Sequence, residues 1–349
     1  MRNKLSFLFA ALLLVSTARA QLTVEKIMQD PKTWVGTSPE GVFWGEDSKT
    51  IYFNWNPEAA PGDSLYKYTL ADKKTAKVPL PERKSMPAER GVYNRLHTLK
   101  AYSKNGDIYL LDCRTFQTRQ LTNTVEAEGS PVFSGDEQRV IFEKDDNLYS
   151  VSLASGLVTQ HTDFRSGTKK AEAKKSDEEK WLEQDQLAMF QILKERKEKK
   201  DAGKKITEAE KPTRPKEIYL GEKRVSMQQL SPDGRYVTYR LSKADKSAKN
   251  TIVPSYVTQS GFTEDLPART KVGAPAAEYE FWVYDIAKDT MRQVSTKKLP
   301  GISDKPDFLK EYPRLDTAWK NKIRPVIVHG PLWSEDGQNA VVVVRSLDN

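Results

Sequence analysis

The stretch PVFSGDEQRVIFEK, residues 131–144, decides the fold because three other stretches repeat its pattern. In each copy, an apolar or aromatic residue precedes a turn rich in Ser, Asp and Gly, and an alternating apolar run follows. Asp and Gly favour the turn conformation, while a run of β-branched and aromatic residues suits a pleated strand. The pattern therefore predicts a strand–turn–strand unit. The other copies read VFWGEDSKTIYFNW (42–55), QQLSPDGRYVTYRL (228–241) and PLWSEDGQNAVVVV (331–344).

A second strand–turn–strand element accompanies this pattern, so that each unit has about four strands. Units of about 40 to 45 residues with four strands are typical of β-propeller blades. A β-sandwich with coincidental turns is the alternative, but the repeated order of elements favours the all-β propeller. The second elements read SLYKYTLADKKTAKV (64–78), GDIYLLDCRTFQTRQLT (106–122), NLYSVSLASGLVTQHT (147–162) and EFWVYDIAKDTMRQVS (280–295).

The last repeat is shorter than the others. The stretch AVVVVRSLDN (340–349) aligns with RVIFEKDDNLY (139–149) only as far as Asn147. We therefore expect about four blades and the opening of another, which form an incomplete ring with an open sheet edge. On this basis the chain is expected to be the N-terminal part of a longer protein.

The first twenty residues have the pattern of a secretory signal peptide. Arg2 and Lys4 precede an apolar stretch from Leu5 to Val15, and Ala18-Arg19-Ala20 forms a small-x-small cleavage pattern before Gln21. Such a short apolar stretch does not span the roughly 30 Å hydrocarbon core of a bilayer. We expect an exported protein, periplasmic or extracellular, with no membrane span after cleavage.

Composition and motifs exclude several classes of function. Hydrophobic residues make up 38% of the 349 residues, so the chain is not globally disordered. Loss of the signal peptide lowers the formal net charge from +8 to +5, which does not favour nucleic acid as a partner. The single cysteine excludes an internal disulfide, and His97, His161 and His329 lack the spacing of metal ligands. We predict no metal and no cofactor.

The chain also lacks a recognisable catalytic motif. No G-x-S-x-G nucleophile elbow occurs, and the nearest string, GTSPE (36–40), differs at its fifth position. The pair His161 and Asp163 stands at a repeat end, where we interpret it as structural. No catalytic residue is therefore assigned within this sequence.

A charged insertion, residues 165–222, separates two of the repeats. It contains 16 Lys/Arg and 13 Asp/Glu in 58 residues. Ser176-Asp177-Glu178-Glu179 is a capping-box pattern, so a helix is predicted from Asp177 to Ala202, with Gly203 as its stop. The basic residues near the end of this segment suit the helix dipole.

The repeats, the signal peptide and the insertion together resemble the N-terminal β-propeller of the prolyl oligopeptidase family of serine peptidases, close to its dipeptidyl peptidase IV-like branch. The blade turns alone are shared with TolB-like propellers, so longer segments carry the resemblance. These are DPKTWVGTSPEGVFWGEDSKTIYFNW (30–55), DEEKWLEQDQLAMFQ (177–191) and VPSYVTQSGFTEDLPARTKVG (253–273).

The resemblance implies a propeller followed by an α/β-hydrolase domain that carries Ser, Asp and His. The propeller then gates the site, admits peptide substrates and positions them. In the dipeptidyl peptidase branch a Glu pair in a propeller insertion grips the substrate's free amino terminus. Here Glu178 and Glu179 are the candidates, although helix capping explains both residues. The triad has no matching positions in this sequence.

The segment from Val253 to Gly273 is expected to interrupt a blade as a projecting loop. Peptide contact is one hypothesis for this loop, and packing between blades or domains is the other. The candidate substrate-binding residues on the loop are Tyr256, Glu264, Asp265 and Arg269.

Three functional hypotheses follow. The first is the propeller part of an exported serine peptidase, whose partners are peptides and the hydrolase domain. The second is a non-catalytic TolB-like periplasmic propeller that binds a protein or ligand. The third makes the insertion a docking arm for another subunit, which would produce a homo-oligomer.

Overall fold

A computed structural model describes residues 23–29, 31, 36–58, 60–170, 175–247, 249–271, 275, 277–319 and 323–347. The predicted signal peptide lies outside these residues. No described helix is both long and apolar enough to cross a membrane. The chain divides into two compact units, Met1–Glu89 and Arg90–Asn349.

The first unit contains one four-stranded antiparallel sheet, named blade 1. Its strands are consecutive in the chain and adjacent in the sheet, as the first repeat predicts. Two short helices, α1 (Val24–Ile27) and α2 (Leu80–Ser85), flank the sheet. The strands of blade 1 are β1 (Glu40–Trp44), β2 (Thr50–Trp55), β3 (Ser64–Thr69) and β4 (Lys74–Lys77).

The second unit contains two further sheets of the same order, blades 2 and 3. Each is a meander of four antiparallel strands joined by short turns. Blade 2 consists of β5 (Val92–Tyr93), β6 (Leu99–Lys104), β7 (Asp107–Asp112) and β8 (Thr118–Gln120). Blade 3 consists of β9 (Glu128–Phe133), β10 (Arg139–Lys144), β11 (Asn147–Ser152) and β12 (Val158–Gln160).

The charged insertion leaves and returns through a short parallel ladder. Strand β13 (Asp163–Arg165) pairs with β14 (Glu217–Tyr219). Between them lie two helices, α3 (Asp177–Met189) and α4 (Gln191–Glu210), which we call the arm. The prediction of one helix ending at Ala202 is wrong. The helix breaks at Phe190, whose extended backbone (φ −118°, ψ 98°) ends α3, and α4 then continues through Gly203.

Blade 4 is a four-stranded sheet interrupted by an inserted hairpin. The sheet consists of β15 (Arg224–Leu230), β16 (Tyr236–Lys243), β19 (Glu278–Asp285) and β20 (Thr290–Gln293). The inserted hairpin consists of β17 (Asn250–Ser255) and β18 (Glu264–Thr270). The predicted interruption of a blade is therefore confirmed, but the segment expected to be a loop is mainly this paired hairpin.

The last repeat forms blade 5, whose described strands are β21 (Val326–Trp333) and β22 (Ala340–Ser346). A 3₁₀ helix (Asp307–Glu311) and helix α5 (Pro313–Ala318) precede it. The predicted all-β propeller-type fold of four-stranded blades is thus confirmed, with the helical insertion where the sequence placed it.

The core lies within and between the blades of the second unit. Val140, Phe142 and Val151 of blade 3 pack with Ala101 and Ile108 of blade 2. A second cluster joins blade 3 to blade 4 through Ile141, Leu148, Val237 and Tyr239. Each central strand alternates its side chains between the two sheet faces, so both faces of blade 3 are covered by neighbouring blades. This packing fixes the central strands of neighbouring blades relative to one another.

Candidate functional site

The first strand of each blade, which we call its inner strand, carries a β-bulge at the same place in blades 1, 3, 4 and 5. In each bulge two residues stand opposite one residue of the next strand: Gly41-Val42, Ser130-Pro131, Met227-Gln228 and Gly330-Pro331. The first residue of each pair has a positive φ, from 52° at Ser130 to 103° at Gly330. A bulge bends its strand and re-aims side chains, and bulges are frequent beside functional sites.

Buried aromatic residues stand opposite three of these bulges. Phe53, Phe142 and Tyr239 occupy that position in blades 1, 3 and 4, and each is at most 9% exposed. Phe142 also stacks on Tyr149 of the third strand, with ring centroids 5.9 Å apart. The buried rings hold the middle of the blade in place while the bulge bends the inner strand.

The turns after the inner strands contact one another from blade to blade. In blade 3, Ser134 Oγ donates to Asp136 Oδ1 over 2.6 Å, and blades 4 and 5 repeat this bond with Ser231–Asp233 and Ser334–Asp336. A Cβ atom built at Gly135 lies only 2.4 Å from the carbonyl oxygen of Pro232. Glycine is therefore required where the turn of blade 3 meets the turn of blade 4.

These features surround a cavity of about 710 Å³ within the second unit. Its walls come from the inner strands and turns of blades 2 to 5. The bulge residues Ser130, Met227, Gln228 and Gly330 all line it. Apolar side chains are exposed on its wall, among them Val132 at 40% and Met227 at 44%. The cavity is the candidate functional site because four blades and three bulges converge on it.

The charged groups at the cavity are largely engaged with the protein. Arg95 Nη2 donates to the carbonyl of Gly135 over 2.9 Å, and the Arg95 backbone N–H donates to Glu137 Oε1 over 2.7 Å. Asn94 Nδ2 donates to the other Glu137 oxygen over 3.2 Å. This network ties blade 2 to blade 3 and leaves the wall dominated by uncharged contact surface.

Glu143 contributes a buried carboxyl group to the same wall, and His97 contributes a ring. Burial raises the pKa of the Glu143 carboxyl, although a hydrogen bond with Ser130 opposes the shift. His97 stacks on Tyr93 with ring centroids 5.1 Å apart. Both residues line the cavity, which therefore combines a desolvated carboxyl group with an aromatic surface.

The predicted glutamates lie on the arm and not among the residues that line the cavity. Glu179 Oε2 accepts from the Ser176 backbone N–H over 2.9 Å, and Ser176 Oγ accepts from the Glu179 N–H over 3.1 Å. The predicted capping box is therefore confirmed. Glu178 is exposed in the first turn of α3, where its charge complements the helix dipole.

The other four predicted residues lie on or beside the inserted hairpin, also outside the cavity lining. Glu264 and Asp265 are neighbours on β18, and Ser260 Oγ donates to Glu264 Oε1 over 2.8 Å. Tyr256 is 78% exposed in the hairpin loop, and Arg269 is exposed near the end of β18. Geometry groups these four residues on one hairpin, and their part in substrate binding stays a prediction.

The bulge residues are not among those that the sequence patterns predicted. Ser130-Pro131 and Gly330-Pro331 occupy equivalent repeat positions, and a small residue before proline inside a strand is a readable signal for a bulge. Met227-Gln228 gives no such signal. Its positive φ of 53° is visible only in the folded blade.

The histidine at the end of blade 3 is partly buried and contacts the blade itself, and its interpretation as structural stays a prediction. His161 Nε2 lies 2.8 Å from Ser150 Oγ, and burial followed by the charge of Arg139 lowers the pKa of His161 to about 4. The described residues contain no group of three His, Cys, Asp or Glu side chains suited to a metal ion.

No family model and no curated protein matches the sequence. Among solved structures, the chain is similar to Porphyromonas gingivalis dipeptidyl peptidase 4, with 14% identity and a TM-score of 0.34 over 81% of this chain and 36% of that one. It is similar to TolB from Acinetobacter baumannii, with 13% identity and a TM-score of 0.30 over 89% and 52% of the respective chains. The tricorn protease matches at 8% identity and a TM-score of 0.28 over 88% and 28%.

The chain thus spans between 28% and 52% of the length of these structures. Similarity at such identities and TM-scores does not indicate an activity. Four-stranded meanders in repeated order define the chain as a propeller-type domain.

Proposed function

We propose that this chain is the propeller part of an exported serine peptidase of the prolyl oligopeptidase type, near the dipeptidyl peptidase IV-like branch. Its role is to admit and position peptides for a hydrolase domain that supplies the catalytic triad. The observation that carries the proposal is the cavity of about 710 Å³ onto which the bulged inner strands of consecutive blades converge.

The chemistry of the cavity wall suits an extended peptide. Val132 and Met227 expose apolar surface, and a methionine adapts its shape to different side chains. Arg95 is already bonded to Gly135 and close to Glu137, so the wall does not favour an anionic ligand. Apolar contact with little charge recognition is what a domain that handles many peptide sequences requires.

The reading frame beyond codon 349 tests the parent activity. We expect it to contain G-x-S-x-G, then Asp, then His, and the expressed protein to release a chromophore from short peptide nitroanilides. A frame that ends after further blades without a nucleophile motif refutes the peptidase and favours the TolB-like binding propeller.

The cavity has its own test in that expressed protein. Val132→Asp places a charge on the wall and is expected to raise KM for peptides about tenfold or more, because the charge must be desolvated when peptide binds. The matched control is Val125→Asp, since Val125 is 99% exposed and does not line the cavity. Equal kinetics for the two variants contradict a role of the cavity in peptide binding.

A further inference from the structure

One carboxyl group on the cavity wall has no cation beside it. Glu143 of β10 lines the cavity and is partly buried. Burial raises the pKa of its carboxyl, the Ser130 hydroxyl opposes the shift, and the charge of Asp146 adds to it. No Lys or Arg of the described part of the chain contributes to this shift. A carboxylate that is partly desolvated and unpaired costs free energy, and a ligand that supplies a cation removes that cost.

A second acceptor lies beside the same turn of blade 3. Gln228, in the bulge of β15, lines the cavity, and its Nε2 donates to the Asp146 carbonyl over 2.7 Å. Its Oε1 is buried and has no hydrogen-bond partner. Asp146 follows Glu143 by three residues, in the turn between β10 and β11. Glu143 shares a sheet face with Ile141, whose cluster joins blade 3 to blade 4. The carboxyl and the amide therefore flank one turn where these two blades meet.

The apolar surface of the cavity defines the shape of a fitting ligand. Val132 and Met227 are 40% and 44% exposed on the wall. The Arg95 guanidinium already donates to the Gly135 carbonyl and is not needed to balance Glu143. Lysine and arginine side chains lay their methylene stems along apolar surface and keep the charged end at a polar group. A free amino terminus has the charge but lacks such a stem, so the wall favours a basic side chain.

We propose that Glu143 selects a basic side chain, of lysine or arginine, in a peptide bound in the cavity. This rests on the proposed function, since it takes the occupant of the cavity to be a peptide. The ammonium or guanidinium group pairs with the Glu143 carboxylate, and Gln228 Oε1 accepts from its remaining N–H groups. Charge-assisted hydrogen bonds are roughly twice as strong as neutral ones. The rest of the wall contributes apolar contact and does not discriminate among the neighbouring residues of the peptide.

Calorimetric titration of the whole chain with short peptides tests this proposal without any need for hydrolysis. The probes are acetyl-Ala-Lys-Ala amide and acetyl-Ala-norleucine-Ala amide. They differ in the charge at the end of one straight side chain, and neither has a free amino terminus. We expect the lysine peptide to bind with a dissociation constant at least about tenfold lower. In Glu143→Gln the two constants should agree within about threefold, because the amide keeps the shape of the side chain but not its charge.

The matched control is Glu311→Gln, which makes the same change of charge elsewhere in the second unit. Glu311 is exposed and is not among the residues that line the cavity. This variant should keep the preference for the lysine peptide. Added salt should also leave most of the preference intact, because partly buried charge pairs are screened less than exposed ones. Circular dichroism establishes that both variants keep the β signal.

Equal dissociation constants for the two peptides on the unaltered chain overturn the proposal and leave peptide binding by the cavity standing. A preference that persists in Glu143→Gln, or that Glu311→Gln removes as well, also overturns it, because the charge is then not selected by Glu143. A norleucine peptide with a free amino terminus that binds as tightly as the blocked lysine peptide overturns it in favour of that terminus. If none of the peptides binds, the proposed function of the cavity fails together with this inference.

Discussion

Gly135→Ala probes the contact between the turns of blades 3 and 4. A Cβ atom at this position lies 2.4 Å from the Pro232 oxygen and 2.8 Å from the Pro232 carbonyl carbon. Carbon–oxygen contacts this short do not occur in folded proteins, and the obstructing atoms are backbone. The two turns must therefore separate by several tenths of an ångström. Because both turns line the cavity, the substitution also disturbs its rim.

The expected loss in the free energy of unfolding follows from overpacking of this contact. Extra methylene volume in a packed site costs about 1 to 3 kcal/mol, while replacement of glycine stabilises by about 0.4 to 1 kcal/mol through the unfolded chain. The midpoints of these two ranges leave a net loss of about 1.3 kcal/mol, which corresponds to a fall of about 3 to 5 °C in melting temperature for a unit of this size.

Thermal and urea unfolding of the chain measure this effect, with Gly129→Ala as the control. Gly129 lies on β9 of the same blade, and its Cβ would meet nothing within 4 Å. We expect the control to match or slightly exceed the parent in stability. If Gly135→Ala melts at the same temperature as the control, the turns of blades 3 and 4 do not press together at the rim of the cavity.

Three further predictions concern blade 3 and the arm. The pKa of His161 is about 4 in the folded chain and about 6.5 in the unfolded chain, so His161 contributes its full stabilisation above pH 6.5. The free energy of unfolding then falls by up to about 3 kcal/mol as the pH drops to 4. His161→Gln should flatten this pH dependence in urea titrations, and an unchanged slope contradicts the prediction. Phe142→Ala should cost about 3 to 5 kcal/mol, because the ring is 1% exposed opposite the bulge; a loss below 1 kcal/mol in urea unfolding contradicts the described packing. Ser176→Ala should destabilise α3 by about 1 kcal/mol and speed proteolysis within it, while Glu178→Ala, which breaks no capping bond, should change little; equal proteolysis of the two variants refutes the capping role.

Much of the fold was predictable because it repeats a local signal. The turn after each inner strand places a Ser Oγ–Asp bond over 2.5 to 2.6 Å in blades 3, 4 and 5, and this bond joins residues two apart in the sequence. Strand alternation and helix capping are similarly local. Such features are encoded in neighbouring residues, so the repeats and the capping-box pattern in the sequence predict them.

The site was not predictable in the same way. The six residues chosen from sequence lie on the arm and the inserted hairpin, whereas the cavity is lined by residues from four blades. Met227 shows the reason: its positive φ arises because two residues of β15 must face Tyr239 alone, which pairing across strands imposes. The break at Phe190 likewise contradicts the continuous helix that its flanking sequence favours.

The sequence by itself determined the all-β class, the four-stranded repeat, the place of the charged insertion and the cap of its first helix, because each depends on contacts between residues close in the chain. Only the tertiary structure decided where the inner strands bulge, which side chains share a cavity and which turns press together. Those properties depend on pairing and packing between residues far apart in the chain, such as Gly135 with Pro232, and no local pattern specifies them.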